Sequence, residues 1–200
     1  MQLYSPTTAL LVVDVQNDFA DPSGSLSVRG GEAVVARASR EVKRAAAAGA
    51  PVVYTQDWHP PSTPHFAKDG GVWPVHCVAG TWGAELHPDL VVDGASVRKG
   101  SNGEDGYSGF TMRDPVSGED RPTELEVILR ERGVTGVVIC GLATDYCVRA
   151  TALDALRLGF QTTVLAGGVA AVDLVPGDGR RALDEMSAAG VRIGSGEPTG

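Results

Sequence analysis

Long hydrophobic runs are missing from this 200-residue chain. No apolar stretch approaches the roughly 18 residues that a spanning helix requires, so no membrane partner is expected. Nor does a basic segment followed by an apolar one open the sequence, which leaves secretion unsupported and makes a cytoplasmic setting the expectation. Basic charge is scarce: 17 Lys and Arg stand against 25 Asp and Glu, a formal charge of -8 that repels phosphate backbones and argues against nucleic acid. Cysteine is scarce too. Cys77, Cys140 and Cys147 are odd in number and lack Cys-x-x-Cys spacing, so they read as reduced thiols rather than a disulfide framework. No Gly-x-Gly-x-x-Gly follows the first apolar run and no Gly-x-x-x-x-Gly-Lys-Ser/Thr occurs anywhere, which removes the usual phosphate cradles.

What remains is a chain 42% hydrophobic with 26 glycines, suited to a compact α/β protein, and its length calls for one domain over residues 1–200. Continuous apolar runs at Thr8 to Val15, Pro51 to Gln56, Gly136 to Cys140 and Gln161 to Leu165 suit strands buried on both faces. Short strands are expected at Ala95 to Arg98 and Val191 to Ile193. Between them, Glu32 to Ala48, Thr123 to Arg132, Asp145 to Leu158 and Asp178 to Ala189 have helical spacing, and Gly49, Gly133 and Gly159 stand where the first three of these would stop. The alternation predicts a doubly wound, mostly parallel sheet of about six strands with helices on both faces. Segments 69–83 and 100–120 read as loops.

One stretch is dense in metal-ligand chemistry. Asp57, His59, His65 and His76 include three of the chain's four histidines. Imidazoles and a carboxylate are ligands a borderline divalent ion prefers, and the Asp-x-His start places two of them on one side of an extended segment. A mononuclear site for zinc, iron or manganese follows as an expectation. Cys77, beside His76, is a further soft donor.

In an open parallel sheet, ligands bind outside the carboxyl ends of the strands. There the sequence places Asp14 after the first strand, Asp57 and His59 after the second, Lys99 after the third and Cys147 after the fourth. Cys147 falls just inside a predicted helix, whose free N–H groups would favour a thiolate or hold an oxyanion. Cys140 lies within the strand, where burial disfavours the thiolate. With the histidines committed to metal, Asp14 is left as the base for Cys147, and Lys99 as the charge that lowers the pKa of both.

These residues sit in motifs that resemble the isochorismatase-like cysteine hydrolases, and within them the nicotinamidase/pyrazinamidase branch. The likeness runs through Leu-Val-Val-Asp14-Val-Gln-Asn-Asp-Phe19, Gln56-Asp57-Trp-His59-Pro, Trp73-Pro-Val-His76-Cys, Lys99-Gly, Tyr107-Ser-Gly-Phe110 and Gly141-Leu-Ala-Thr-Asp-Tyr-Cys147-Val. It implies Asp14, Lys99 and Cys147 as a catalytic triad, and Asp57, His59 and His76 as metal ligands with His65 direct or through water. It further implies an oxyanion hole from the N–H groups of Ala143 and Cys147, and a cis peptide at Leu142-Ala143. The small-molecule substrate is then nicotinamide, its ring nitrogen toward the metal and its ring flanked by Phe19 and Trp73 with Tyr107 near. Tyr146, where relatives often carry histidine, would alter the pocket edge. Residues 115–121 resemble a local insertion, and relatives are often homo-oligomers, a state these residues leave open. Two alternatives stand beside this: a related hydrolase of another small heteroaromatic or acyclic amide, and a metal-binding protein without catalysis.

Overall fold

In the computed structural model, residues 2–195 are described. The strands are β1 (Thr8–Val13), β2 (Val52–Asp57), β3 (Ala95–Lys99), β4 (Thr111–Arg113), β5 (Asp120–Pro122), β6 (Gly136–Leu142), β7 (Gln161–Ala170) and β8 (Arg192–Gly194). The α-helices are α1 (Asn17–Ala20), α2 (Gly31–Ala47), α3 (Leu125–Glu131), α4 (Arg149–Arg157) and α5 (Asp178–Ala189). Six of the strands form a parallel sheet in the order β3-β2-β1-β6-β7-β8.

Helices on both faces explain why β2 and β6 are buried at every position. On one face, Val34, Val35, Ala38, Val42 and Ala45 of α2 recur at helical spacing and pack with Leu10, Val12, Val138 and Cys140. On the other, Ala9, Leu11, Val13 and Ile139 meet Leu125 and Leu129 of α3, Ala152 and Ala155 of α4, and Met186 of α5. The predicted architecture therefore holds. Because the chain moves outward from β1 in one direction and later from β6 in the other, the sheet reverses its winding between these two strands. Their carboxyl ends open the crevice there.

Several boundaries differ from expectation for local reasons. The helix predicted over Asp145 to Leu158 begins instead as a wide π turn, Thr144–Val148, in which the Val148 N–H reaches back to the Ala143 carbonyl; α4 follows. Thr123 stands outside α3, its hydroxyl accepting the Leu125 N–H and donating to the Gly109 carbonyl. Strand β7 runs past Leu165 to Ala170, because Ala166, Gly167 and Gly168 form a bulge opposite β6 and pairing resumes at Gly141 with Val169. Segment 100–120 is not all loop: β4 and β5 pair as a small antiparallel hairpin, and the 115–121 stretch forms its turn and much of its second strand. No helix among the described residues is long and apolar enough to cross a membrane.

Candidate active site

Every strand end that the sequence pointed to delivers its side chain to one place. Asp14 follows β1 in a left-handed conformation, φ 48°, which turns the chain sharply as it leaves the sheet. Its carboxylate is fully buried, accepts the Thr55 hydroxyl at 2.6 Å and lies 2.9 Å from Lys99 Nζ. Lys99 closes β3, itself buried, and pairs with Asp57 at the end of β2 as well as with Asp14. Its Nζ is 3.6 Å from Cys147 Sγ. One ammonium thus sits among two carboxylates and a thiol.

Burial and charge compete at each of these groups. Burial raises the Asp14 carboxyl by more than the Lys99 charge lowers it, so Asp14 is a stronger proton acceptor than an ordinary aspartate. At Asp57 burial also raises, but Lys99, His59 and His76 together hold the carboxyl well below its usual range. Burial would neutralise Lys99, yet the charges of Asp14 and Asp57 push its pKa well up and keep it cationic. Burial pushes the Cys147 thiol up, against the Lys99 charge, and its Sγ lies within 4.8 Å of an Asp14 carboxylate oxygen. Cys147 lies in the π turn that precedes α4 rather than inside the helix, and burial there works against a thiolate, with Asp14 the neighbouring proton acceptor.

Beside this cluster, His59, His65 and His76 each present one ring nitrogen within 4.8 Å of the others. Asp57 Oδ2 lies 3.7 Å from His59 Nε2 and 3.9 Å from His76 Nε2. Ligand atoms around one zinc-sized ion sit about 3 to 3.6 Å apart, so small side-chain shifts would close the set. His76 Nδ1 faces the Pro74 carbonyl at 2.7 Å and His65 Nδ1 faces Asp105 Oδ1 at 2.7 Å, which directs both Nε2 atoms inward. Burial pushes His76 down to about 4, favouring the neutral imidazole that a metal needs. Both ring nitrogens of buried His59 lack a hydrogen-bond partner, an arrangement costing about 1–3 kcal/mol per group unless something binds there. Donor type, spacing and orphaned nitrogens all fit a divalent ion.

The supports for this set escaped the sequence reading. Gln16 accepts the Asp57 N–H and donates to the Asp57 and Ala84 carbonyls, clamping the Asp57 backbone from the β1 side. Phe66, fully buried, packs its ring against all three imidazoles. Gly100 is needed for space: with φ 79°, a Cβ there would come within 2.7 Å of His59 Nδ1. Gln16-Asn17 and Lys99-Gly100 were visible as letters, but the partners of Gln16 and Gly100 lie some 40 residues away. Cys77, in contrast, is removed from the donor set, because its Sγ turns to the Gly83 carbonyl and its N–H to Asp18.

A narrow cleft, about 30 Å³ in volume, opens onto both groups. Phe19, Trp73, Tyr107 and Tyr146 all line it, together with Asp57, His65, His76, Ala143 and Cys147. The Trp73 indole N–H donates to the Tyr107 hydroxyl at 3.0 Å, and Tyr146 meets the edge of Trp73. Leu26, Val28, Leu142 and Val172 complete an apolar wall that the sequence reading did not include. The Leu142-Ala143 peptide bond is cis, as the resemblance implied. Aromatic walls with polar groups gathered at one end match the chemistry of a small flat molecule with one polar end.

Residues 8–197 match the family model of the isochorismatase domain. The nicotinamidase/pyrazinamidase of Mycobacterium tuberculosis is 41% identical over 194 residues, covering 92% of this chain and 97% of the relative. Among solved structures, the pyrazinamidase of Pyrococcus horikoshii in complex with zinc superimposes with a TM-score of 0.83 at 42% identity, over 94% of this chain and 98% of that one. PnC1 from L. infantum in complex with nicotinate gives a TM-score of 0.83 at 37% identity, over 94% and 93%.

Proposed function

The chain belongs to the isochorismatase family, and we propose that its site is that of a nicotinamidase, hydrolysing nicotinamide to nicotinic acid and ammonia. The observation that carries this reading is the convergence of Asp14, Lys99 and Cys147 with an Asp/His donor set on one aromatic cleft. A metal-binding protein without catalysis needs no thiol set beside a buried aspartate and lysine. Pyrazinamide, a carboxamide on a similar ring, is a second substrate, in line with what the Mycobacterium relative is called.

Asp14 takes the proton of the Cys147 thiol as Sγ attacks the carboxamide carbon. Lys99 stays protonated, and its charge stabilises both the forming Asp14–thiolate pair and the site as negative charge moves. The N–H groups of Ala143 and Cys147 receive the oxyanion of the tetrahedral intermediate. As the C–N bond breaks, Asp14 returns the proton to the leaving nitrogen, which departs as ammonia. Asp14 then removes a proton from water, whose oxygen attacks the thioester, and Cys147 leaves with that proton as a thiol. Phe19 and Trp73 hold the ring between them, with Tyr107 and Tyr146 closing the edge. Asp57, His59, His65 and His76 would hold the divalent ion (zinc, iron or manganese), which supplies a Lewis-acid anchor for the ring nitrogen. Three free thiols suit a cytoplasmic enzyme.

The test is chromatography of nicotinamide incubated with the zinc-loaded protein. Nicotinic acid and ammonia should appear in equal amounts. No release from nicotinamide, with hydrolysis of some other small amide, would replace this reading by the related amidohydrolase.

A further inference from the structure

Resting on the metal reading above, we propose that Asp105 is a positioning residue of the metal centre: it fixes the tautomer of His65 and thereby turns His65 Nε2 toward the ion. The two side chains meet at 2.7 Å, Oδ1 to Nδ1. Asp105 is half exposed, and the hydrogen bond to His65 holds its carboxyl below the usual range, so at neutral pH it is a carboxylate that can only accept. The nitrogen facing it must then carry the hydrogen. This leaves the Nε2 lone pair of His65 for a ligand, and the carboxylate makes that nitrogen a better donor.

The bond differs from a surface ion pair because its imidazole is buried. Stacking on His59 at 4.8 Å and edge contact with His76 at 5.3 Å leave the ring little freedom beyond the choice of tautomer. Asp105 is itself held from two sides. Its backbone exchanges both hydrogen bonds with Arg113, the last residue of β4, and its Oδ1 also accepts the Gly106 N–H at 2.7 Å. The β4–β5 hairpin, residues 115–121 included, thus acquires a use: it anchors the carboxylate that orients a ligand 40 residues before it in the chain.

The experiment measures zinc affinity by competition with a chromophoric chelator for the wild type, Asp105→Ala, Asp105→Asn, His65→Ala and the His65→Ala/Asp105→Ala double variant. The 15N shifts of the His65 ring are read alongside. Asp105→Ala should weaken zinc binding about 10- to 100-fold. Asp105→Asn, whose amide oxygen still accepts, should lose less. In the His65→Ala background the aspartate should no longer matter, changing affinity less than about twofold. The His65 shifts should report a protonated Nδ1 in the wild type and a mixture of tautomers in Asp105→Ala, which a merely structural defect would not produce. Wild-type affinity in Asp105→Ala, or an equal loss with and without His65, would overturn the proposal. If Asp105→Ala does not fold, Asp105→Asn and its 15N shifts decide the matter. A wild type that takes up no zinc would fail the metal reading first, and that arm is read before any variant is compared.

Discussion

Lys99 is the residue on which the buried charges depend. Replacing it by methionine keeps the volume but leaves the carboxylates of Asp14 and Asp57 facing each other without a cation. Removing one partner from such a buried set costs on the order of 3–5 kcal/mol. Urea unfolding of Lys99→Met should show a loss of that size, partly restored in Lys99→Met/Asp14→Asn, where one carboxylate is also gone; additive losses in the double variant would contradict the coupling. At Asp14 the prediction concerns rate instead. Asp14→Asn keeps the shape but cannot take the Cys147 proton, and kcat for nicotinamide should fall about 10²- to 10⁴-fold, with little change in the binding of nicotinic acid measured by calorimetry.

At the scale of elements, the loop ends of the strands set the candidate metal donors, and Gly100 shows how tightly. A methyl at this position would press on the His59 ring and strain a backbone at φ 79°. Gly100→Ala should therefore weaken zinc binding while far-UV circular dichroism stays that of the wild type. On the α2 face, Tyr4 donates to Glu41 at 2.8 Å, and burial with this bond holds its phenol above the ordinary value of 10.0. Burial likewise pushes the Cys140 thiol from 9.0 up to about 12. The unfolded chain releases these protons near pH 9 to 10 while the folded chain keeps them, so their contribution is whole below pH 9 and is lost as pH rises. Urea midpoints should fall between pH 8 and 10.5, and fall less in Tyr4→Phe; a flat profile would contradict the assignment.

These elements also show what the sequence could and could not disclose. Apolar runs gave away β1, β2 and β6 because both faces are buried, and their ends located Asp14, Asp57 and Cys147. The Asp57/His59/His65/His76 cluster was legible because its ligands are near in sequence and chemically distinctive. Gln16, Phe66 and Asp105 were not, since a glutamine clamp, an apolar floor and a hydrogen-bonded carboxylate carry no local pattern. The π turn at Thr144–Val148 reads as helix by composition, and only the tertiary setting of Cys147 shows that burial opposes the Lys99 charge at its thiol. The bulge at Gly167 and Gly168 read as a strand end for the same reason: two glycines break a pattern whether or not pairing resumes.

For the molecule as a whole, metal and fold are linked. On the proposed reading, donors from β2 and from the loop before β3 hold one ion, and binding to the folded chain then adds stability of about 2.7 kcal/mol when free metal is 100-fold above its Kd. Chelation should lower Tm, and zinc should restore it in the wild type but less in His76→Ala. An unchanged Tm after complete metal removal, verified by elemental analysis, would contradict this linkage. The central claim remains that one cysteine carries out the chemistry. The measurement that reaches it most directly is kcat/KM for ammonia release from nicotinamide by zinc-loaded wild type beside Cys147→Ala, both confirmed folded and carrying equal metal. The predicted result is a loss on the order of 10⁴-fold or more in the variant, as for removal of a nucleophile. Turnover that survives the substitution within tenfold would contradict the account.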